Sequence, residues 1–579
     1  MKRLGLLEYA WSIFFEKDWL KTKLLLSNKH KFSQFFCDKE GFVCVFPEPT
    51  LTESDENETI AMMGYQFPTD TMGRVQFATL FRAAVFHLDA HVLSSDFEDY
   101  ESWRKGKDNR LTKFVSSIVE DAKATAYIST KHPDKLHDLA FANALALKRL
   151  RQINRFINPT TRIMAGLLIK THTGLMLIKS ENEQKTIAQL AGLLDQFKEK
   201  ALASFSDEKI ALKDEKLKVA DAIYSAIENI GTITETPFLP HTEELGTCSI
   251  FSPSYLVNTD VSLEPEFAKC LEFLSKGTMS PRDATQTSGK IAEAEAIQIF
   301  DSWKHQKEKD QKIITRYETL LPLTRFKSVE IPEYDYTEFL RVKARTKSET
   351  HRLMESLLVA RDAVDEDPRK NYGVLDLQDM IQVVASKSPR MDVFMLDENI
   401  SKSYSWVILL DASRSMKYIK DFALEIAAIL AEIANELLLD PTSWGMYAYN
   451  DRLLVIKDLR ERYNVRVKSR IGGIKFEGFT YMPDALTIAG QILKERAENL
   501  RLIAIISDGW PYGYSEVNAA LSEILNTLTG GNISVIGIGA RTRRMEFFFK
   551  SNCTAYTLRD LSKKFSNLYF EVSNIASGT

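Results

Sequence analysis

Residues 405–416 read SWVILLDASRSM, and this stretch decides the fold predicted for the C-terminal third of the chain. An apolar run from Trp406 to Leu410 is followed at once by Asp411, Ser413 and Ser415. Short, continuous apolar runs are typical of strands that are buried on both faces of a parallel sheet. We therefore predict a buried strand that ends in three oxygen-bearing side chains.

The sequence after Lys402 alternates between strand and helix patterns. Apolar residues at helical spacing from Phe422 to Leu437 predict an amphipathic helix. WGMYAY and LLVIK flank the Asn450-Asp451 turn and predict an antiparallel hairpin at the sheet edge. RLIAIIS and NISVIGIGA then alternate with helices predicted at 482–496 and 515–528. Parallel strands joined by helices predict a doubly wound α/β domain at 401–579.

The remainder of the chain is predicted to be mainly helical. A chain of 579 residues exceeds what a single hydrophobic core usually organises. Apolar residues at helical spacing, such as Phe77, Phe81 and Leu88, predict an α-helical N-terminal domain at 1–170. Residues 171–320 are predicted to be a variable polar region of helices and loops, and 321–400 a helical connector. The predicted class is thus α + α/β.

Composition restricts the classes of function. Hydrophobic residues make up 44% and charged residues 27% of the chain, which is typical of a soluble globular protein. The net charge of -4 provides no basic field for nucleic acid. No apolar run reaches the roughly 18 residues of a membrane span, so no membrane insertion is expected. Five cysteines without CxxC spacing predict reduced thiols and a cytoplasmic location.

Two further oxygen-bearing residues stand at the end of a strand or the start of a helix. Asp508 follows the strand pattern LIAIIS, and Thr480 in EGFTYMPDAL precedes a helix. In open α/β sheets, ligands bind outside the carboxyl ends of the strands. Oxygen ligands without imidazole or thiolate suit Mg²⁺, with Mn²⁺ or Ca²⁺ as alternatives. The predicted metal ligands are Asp411, Ser413, Ser415, Thr480 and Asp508. The alternative is that these residues only cap helices.

These five residues resemble the metal-ion-dependent adhesion site (MIDAS) of von Willebrand factor A domains. The pattern Asp411-x-Ser413-x-Ser415, Thr480 and Asp508 has the same order and the same strand positions. The resemblance covers about residues 402–579. It implies that Ser413, Ser415 and Thr480 bind the metal directly or nearly so, while the two aspartates act largely through water and orient the hydroxyls.

A narrower resemblance, to the NorD and CbbO group of von Willebrand A proteins, extends over most of the chain. IPEYDYTEF, YGVLDLQDMI, LLDASRSM, FTYMPDAL and ISDGWP carry it, together with FRAAVFHLDAHV and IVEDAK. The group implies a non-catalytic adaptor that works with a MoxR-type AAA+ ATPase ring on a target metalloenzyme or other enzyme presenting an acidic residue. Nitric oxide reductase is the nearest family target.

Two sequence features favour an adaptor over an enzyme. The chain has no GxxxxGK[ST] phosphate loop, so ATP binding would come from a partner. No histidine follows His351, so the C-terminal domain lacks an imidazole for acid-base catalysis. Where this group has polar residues after the DG, the chain has WPYGY, which makes Trp510 and Tyr512 candidate partner-binding residues together with Arg414. Aromatic packing against the next helix is the alternative.

A second candidate site lies in the N-terminal half. His87 and His91 are four residues apart, so a helix presents both imidazoles on one face, and Glu120 or Asp121 could supply a third metal ligand. The general base of zinc proteases is replaced by Leu88, and histidines hydrogen-bonded inside a helical bundle are the alternative. Three other functions stay open: a metallohydrolase using His87 and His91, a chelatase-type von Willebrand A subunit, and a metal-dependent scaffold without an ATPase.

Overall fold

The computed structural model divides the chain into two units, Met1–Lys307 and Glu308–Thr579. It describes the chain except for residues 1–4, 17, 55–56, 207–211, 258–263, 276–290, 363–365, 371–373, 398–403, 439, 499, 510, 512–513, 515 and 578–579. The fold is mixed α/β. Among the described residues, no helix combines the length and the apolarity that crossing a membrane requires.

The first unit contains two small sheets. Their strands are β1 (Thr22–Ser27), β2 (Gln34–Cys37), β3 (Phe42–Pro47), β4 (Thr50–Ser54), β5 (Asn57–Met62), β6 (Tyr65–Pro68) and β7 (Tyr255–Leu256), in the orders β1-β3-β2 and β4-β5-β6-β7. The N-terminal region predicted as α-helical therefore also contains strands. The tight turn between β5 and β6 uses Met63 and Gly64, both with positive φ. It lacks the Asn-Gly or Asp-Gly signature by which hairpins are found in sequence.

Several helices of the first unit share one core. The helices of the unit are α1 (Leu6–Ile13), α2 (Thr71–Ser94), α3 (Glu101–Arg104), α4 (Asn109–Lys131), α5 (Leu136–Arg149), α6 (Pro159–Thr173), α7 (Glu181–Ser206), α8 (Lys213–Glu228), α9 (Glu264–Leu274) and the start of α10 (Glu293–Glu318). Ile187, Leu194 and Ile223 of α7 and α8 lie in the same cluster as Phe114 and Leu167. The polar composition after residue 171 thus belongs to the exposed faces of packed helices.

The second unit is built on a seven-stranded sheet. Its strands are β8 (Val329–Glu330), β12 (Tyr404–Asp411), β13 (Trp444–Tyr449), β14 (Leu453–Lys457), β15 (Leu500–Ser507), β16 (Ile533–Ala540) and β17 (Ser551–Ala555), in the order β17-β16-β15-β12-β13-β14-β8. A small sheet, β10-β11-β9, is formed by β9 (Glu366–Lys370), β10 (Val374–Leu375) and β11 (Phe394–Asp397). Among the described strands of the large sheet, only β13 and β14 pair antiparallel, which confirms the predicted hairpin. The hairpin is not at the sheet edge as predicted, because β8 pairs with β14 beyond it.

Helices cover both faces of this large sheet. The helices of the unit are α11 (Tyr336–Asp362), α12 (Leu377–Ser386), α13 (Lys420–Leu437), α14 (Val465–Gly472), α15 (Met482–Lys494), α16 (Val517–Gly530) and α17 (Leu558–Ser577). Trp406 and Ile408 of β12 pack in the core beneath α13 and α17, whereas Val407 and Leu409 pack in the core beneath α15 and α16. Alternate side chains enter opposite cores, which explains the continuous apolar run in the sequence.

Residues 321–400 differ from the predicted connector. β8 pairs with β14 at the edge of the large sheet, and α11 contributes Phe339, Val342 and Leu357 to the core that contains Trp406. These residues therefore belong to the second unit, and the observed division lies at 307/308. A two-residue strand such as β8 is too short to show an alternating hydrophobic pattern in the sequence. It is recognised only from its pairing with β14 in the structure.

The strand order reverses beside β12. The connection from β12 leads to β13 on one side, whereas β15, on the other side, leads on to β16. The loops that leave β12 and β15 therefore diverge and leave a crevice at the carboxyl ends of the two strands. Such a switch point is the usual ligand position in open α/β sheets.

A buried arginine ties three segments of the second unit together. The guanidinium of Arg470 is fully buried and donates to Asp310 Oδ1 at 2.9 Å, to Glu461 Oε2 at 2.7 Å and to the carbonyl of Ile456 at 3.0 Å. Planar, bidentate-capable guanidinium groups suit buried ion pairs. Arg470 therefore fixes α14 against the end of α10 and the loop after β14.

Replacing Arg470 should destabilise the second unit strongly. Arg470→Ala leaves Glu461 without its guanidinium partner, whereas Asp310 keeps Arg466 at 2.8 Å, so we expect a loss of about 3 kcal/mol, the lower end for a broken buried pair. The unfolding transition of this unit, followed by calorimetry on the whole chain, should move to lower temperature. Arg352→Ala is the control, because Arg352 is half exposed and pairs only with Glu349 one helical turn away. A shift as small as the control's would show that the Arg470 network is not structural.

Candidate metal centre

Asp411 ends strand β12 and is fully buried. Its Oδ1 accepts a hydrogen bond from the backbone N–H of Ser413 at 2.9 Å, and its Oδ2 accepts one from the hydroxyl of Ser507 at 2.7 Å. Burial raises the pKa of Asp411 to about 7, because the buried carboxylate loses hydration without gaining a counter-charge. A cation beside this carboxylate would offset that penalty, so the environment favours cation binding.

Three more oxygen atoms lie next to one another at the same strand ends. Ser413 Oγ and Ser415 Oγ are 3.0 Å apart, and Ser415 Oγ donates to Asp508 Oδ1 at 3.2 Å across 93 positions of sequence. Adjacent ligands of an octahedral Mg²⁺ ion with bonds of ~2.1 Å are about 3.0 Å apart. The spacing of these oxygens fits such an ion, and no imidazole or thiolate lies among them.

Thr480 reaches the same place from a loop held by Gly478. The backbone N–H of Arg414 donates to the carbonyl of Gly478 at 3.3 Å, which ties this loop to the serine segment. Gly478 has a φ of +78°, and a Cβ there would lie 2.3 Å from Asp451 Oδ1. Only glycine fits this conformation and this space. The structure thus brings all five predicted ligand residues to the switch point of the sheet.

The oxygen group opens into a cleft of about 830 Å³. The cleft is lined by Ser413, Arg414, Ser415, Gly478, Phe479, Thr480, Asp508 and Arg544. Ser415 is exposed and Asp508 is half-buried, so a group on another molecule has access to the oxygens. Two arginines at the rim favour an acidic group.

Sequence reasoning missed two residues of this cleft. Arg544 belongs to a basic group with Arg541 and Arg543, a pattern that is typical of a solvated face. In the structure Arg544 packs on Gly509, where a Cβ would lie 2.6 Å from its Cδ. Phe479 stands directly before Thr480 and is 54% exposed. Its position beside a predicted ligand was the available signal, because an exposed aromatic ring at a binding site is often an anchor.

The predicted partner-binding residues have different outcomes. Arg414 lines the cleft, and its role in partner binding stays a prediction. Trp510 and Tyr512 lie outside the described residues. Tyr514, from the same WPYGY stretch, donates to Asp484 Oδ2 at 2.5 Å and packs under Arg325. Tyr514 therefore contacts α15, which precedes it in the chain, and not the following helix that the alternative interpretation named.

The histidine pair of the first unit lies beside Asp121, one of the two carboxylates predicted, and beside Glu243, which was not predicted. His87 and His91 lie on α2, with Asp121 and Glu243 beside them, and these four residues form a buried group that could bind a metal ion. Glu120 is not part of it: its Oε1 accepts from Lys216 Nζ at 3.2 Å. Adjacent residues of a helix point about 100° apart, so Asp121 and Glu120 face different neighbours. The prediction of Glu120 as a ligand is wrong.

Comparisons with known proteins identify no family. No family model and no curated protein matches the chain. Among solved structures, the pilus adhesin SpaC from Lactobacillus rhamnosus GG has a TM-score of 0.24 at 13% identity, over 31% of this chain and 31% of the adhesin. A mutant of the PilB minor pilin from Streptococcus sanguinis has 0.26 at 12%, over 32% and 65%. A Deinococcus radiodurans RO (RSR) protein has 0.20 at 12%, over 87% and 96%. Similarities this weak assign neither a fold nor a function.

Binding of Mg²⁺ should stabilise the second unit. A ligand that binds only the folded state adds about 2.7 kcal/mol of stability at a concentration of 100 Kd. Millimolar Mg²⁺ should therefore raise the melting temperature of this unit in the unsubstituted protein and have little effect in Asp508→Ala.

Asp440→Ala is the matched control for that experiment. Asp440 is an exposed aspartate before β13, at the opposite edge of the sheet, and its carboxylate accepts hydrogen bonds from Thr442. Its variant should respond to Mg²⁺ like the unsubstituted protein. An equal rise of the melting temperature in Asp508→Ala would contradict a Mg²⁺ site at the cleft.

Proposed function

We propose that residues 401–579 form a von Willebrand factor A domain whose adhesion site binds Mg²⁺ through Ser413, Ser415 and Thr480. Asp411 and Asp508 orient the hydroxyls and bind largely through water. The observation that carries this proposal is the approach of Ser415 to Asp508, at 3.2 Å, at the switch point of a mainly parallel sheet. If these residues only capped separate helices, their side chains would have no reason to lie next to one another.

The proposed ion docks an acidic side chain of another protein. Mg²⁺ retains water where the protein supplies few ligands, and a carboxylate can replace such a water. The cleft leaves room for this approach, and Arg414 and Arg544 lie at its rim. Phe479 supplies exposed apolar area next to the docking point. The geometry thus supports binding of an acidic residue inside a larger protein contact.

The proposed role is a non-catalytic adaptor of the NorD and CbbO type, acting in the cytoplasm. A MoxR-type AAA+ ATPase ring would supply the energy of ATP hydrolysis, because this chain has no phosphate loop. The cleft residues include no histidine or cysteine that could act as general base or nucleophile. Binding a target enzyme, and presenting it to the ring for activation or maturation, is the function that this donor set supports best.

Capture of the target enzyme should depend on the ion while capture of the ATPase should not. The full chain is mixed with a MoxR-type ATPase and a candidate target enzyme, and both are measured after pull-down. Ser415→Ala and Asp508→Ala should each weaken target capture at least about tenfold, equal to ~1.4 kcal/mol, and chelator should do the same. Retention of the ATPase should not change.

The choice of variants follows from burial. Asp411 is fully buried and bonded to Ser507, so its replacement would disturb the sheet end as well as the ion. Ser415 is exposed, so its hydroxyl can be removed with little effect on packing. Asp440→Ala is again the control that should capture both partners. Undiminished target capture in Ser415→Ala, in Asp508→Ala and in chelator would exclude the docking role.

A further inference from the structure

A second, differently built group of metal-ligating side chains lies inside the first unit. His87 and His91 stand on consecutive turns of α2, Asp121 comes from α4, and Glu243 comes from the segment after α8. All four side chains are buried, with 0% exposure for His91. Two imidazoles and two carboxylates are donor types that together suit a transition metal and not Mg²⁺.

The ligand atoms have the spacing of a tetrahedral metal site. His87 Nε2 lies 3.1 Å from His91 Nε2, 3.5 Å from Asp121 Oδ1 and 3.1 Å from Glu243 Oε2. His91 Nε2 lies 3.0 Å from Asp121 Oδ1 and 3.7 Å from Glu243 Oε2. A Zn²⁺ ion with bonds of ~2.0–2.1 Å holds its ligand atoms about 3.3 Å apart. These five separations are distributed around that value.

Hydrogen bonding alone accounts poorly for this convergence. Each imidazole Nε2 carries at most one hydrogen, yet His91 Nε2 faces a nitrogen and two carboxylate oxygens within 3.7 Å. The two Nε2 atoms also lie 3.1 Å apart. An N–H that donates across this distance cannot at the same time donate to a carboxylate. A cation among the four atoms interacts favourably with all of them at once.

The outer atoms of the ligands are held as in metal sites. His91 Nδ1 lies 2.8 Å from Ser95 Oγ, and Asp121 Oδ2 lies 3.2 Å from His172 Nε2. The hydroxyl of Ser117 donates to Glu243 Oε1. Such contacts fix the tautomer and orientation of ligands. They leave one nitrogen or oxygen of each of these three side chains directed at the common centre.

We propose that His87, His91, Asp121 and Glu243 bind one Zn²⁺ ion in a structural site that cross-links α2, α4 and the segment around residue 243. Four protein ligands fill a tetrahedral site and leave no open position for a substrate. A cavity of about 20 Å³ reaches Asp121 and His172, which is room for roughly one water. The proposed metal site is thus closed. A metallohydrolase needs an open coordination position for its substrate, and this site offers none.

Metal content of the purified full chain tests the site. Protein produced in zinc-supplemented medium should contain one Zn²⁺ per chain by elemental analysis. Asp121→Asn and Glu243→Gln, which preserve side-chain size but remove a charged ligand, should lower that content several-fold. Glu120→Gln is the matched control, because Glu120 is an equally buried carboxylate on the same helix but bonds to Lys216. It should retain the metal.

A second measurement does not depend on the folding of the variants. Zn²⁺ is removed from the unsubstituted protein with a strong chelator, and amide exchange is followed in α2 and α4 before and after the metal is returned. Removal should speed exchange in both helices, and Zn²⁺ should restore the slow rate. Co²⁺ added to the metal-free protein should give the strong visible absorption of a tetrahedral site.

The outcomes separate this site from the proposed adhesion site. Ser415→Ala should leave the zinc content unchanged. Protein without bound zinc, another metal in its place, an equal loss in Glu120→Gln, or zinc-dependent hydrolysis that Glu243→Gln abolishes would each overturn the structural zinc site. None of these results bears on Mg²⁺ binding at Ser415 and Asp508, because the two sites share no residue.

Discussion

The parallel pairing of β12 with β15 is the constraint on which the candidate site in the second unit depends. Leu410 lies opposite Ile506, so the two strands end in register at the same sheet edge. The hydrogen bond from Ser507 to Asp411 then joins the first residues beyond the pairing. Because both faces of these strands are buried, a slip by one residue would move every side chain to the wrong core. The packing of the sheet therefore fixes the distance between the serine loop and Asp508.

The charges around the cleft favour a divalent cation inside it and an acidic group at its mouth. Asp411 and Asp508 carry two negative charges when ionised, and a divalent cation neutralises them. Arg414 and Arg544 at the rim then make the mouth of the cleft positive. In the proposed docking, a carboxylate of another protein would be attracted by this field and would complete the coordination of the ion. Without the ion, Asp508 would repel the same carboxylate, so docking and ion binding would be coupled.

The sequence predicted the elements and residues that depend on a local pattern. It did not predict those whose position depends on contacts with distant segments of the chain. The strand at 404–411, the hairpin around Asn450 and the five oxygen-bearing residues were predictable, because apolar runs and the residues that follow them are adjacent in sequence. β8 was not, since a two-residue strand is defined by its partner β14. The choice between Glu120 and Asp121 depends on helix orientation, and Glu243 lies 156 residues from His87 with no motif around it.

The two groups of ligating side chains differ in ways that determine what each can do. The oxygens around Ser415 come from loops at a sheet edge. They are too few and too exposed to fill the coordination shell of a hard cation. The ligands around His91 come from two helices and a packed segment, and four of them surround one point. A site with an incomplete shell exchanges water for a partner's side chain, whereas a complete, buried shell can only hold its protein ligands together. Donor number and burial, more than the presence of a metal, therefore separate a docking site from a structural one.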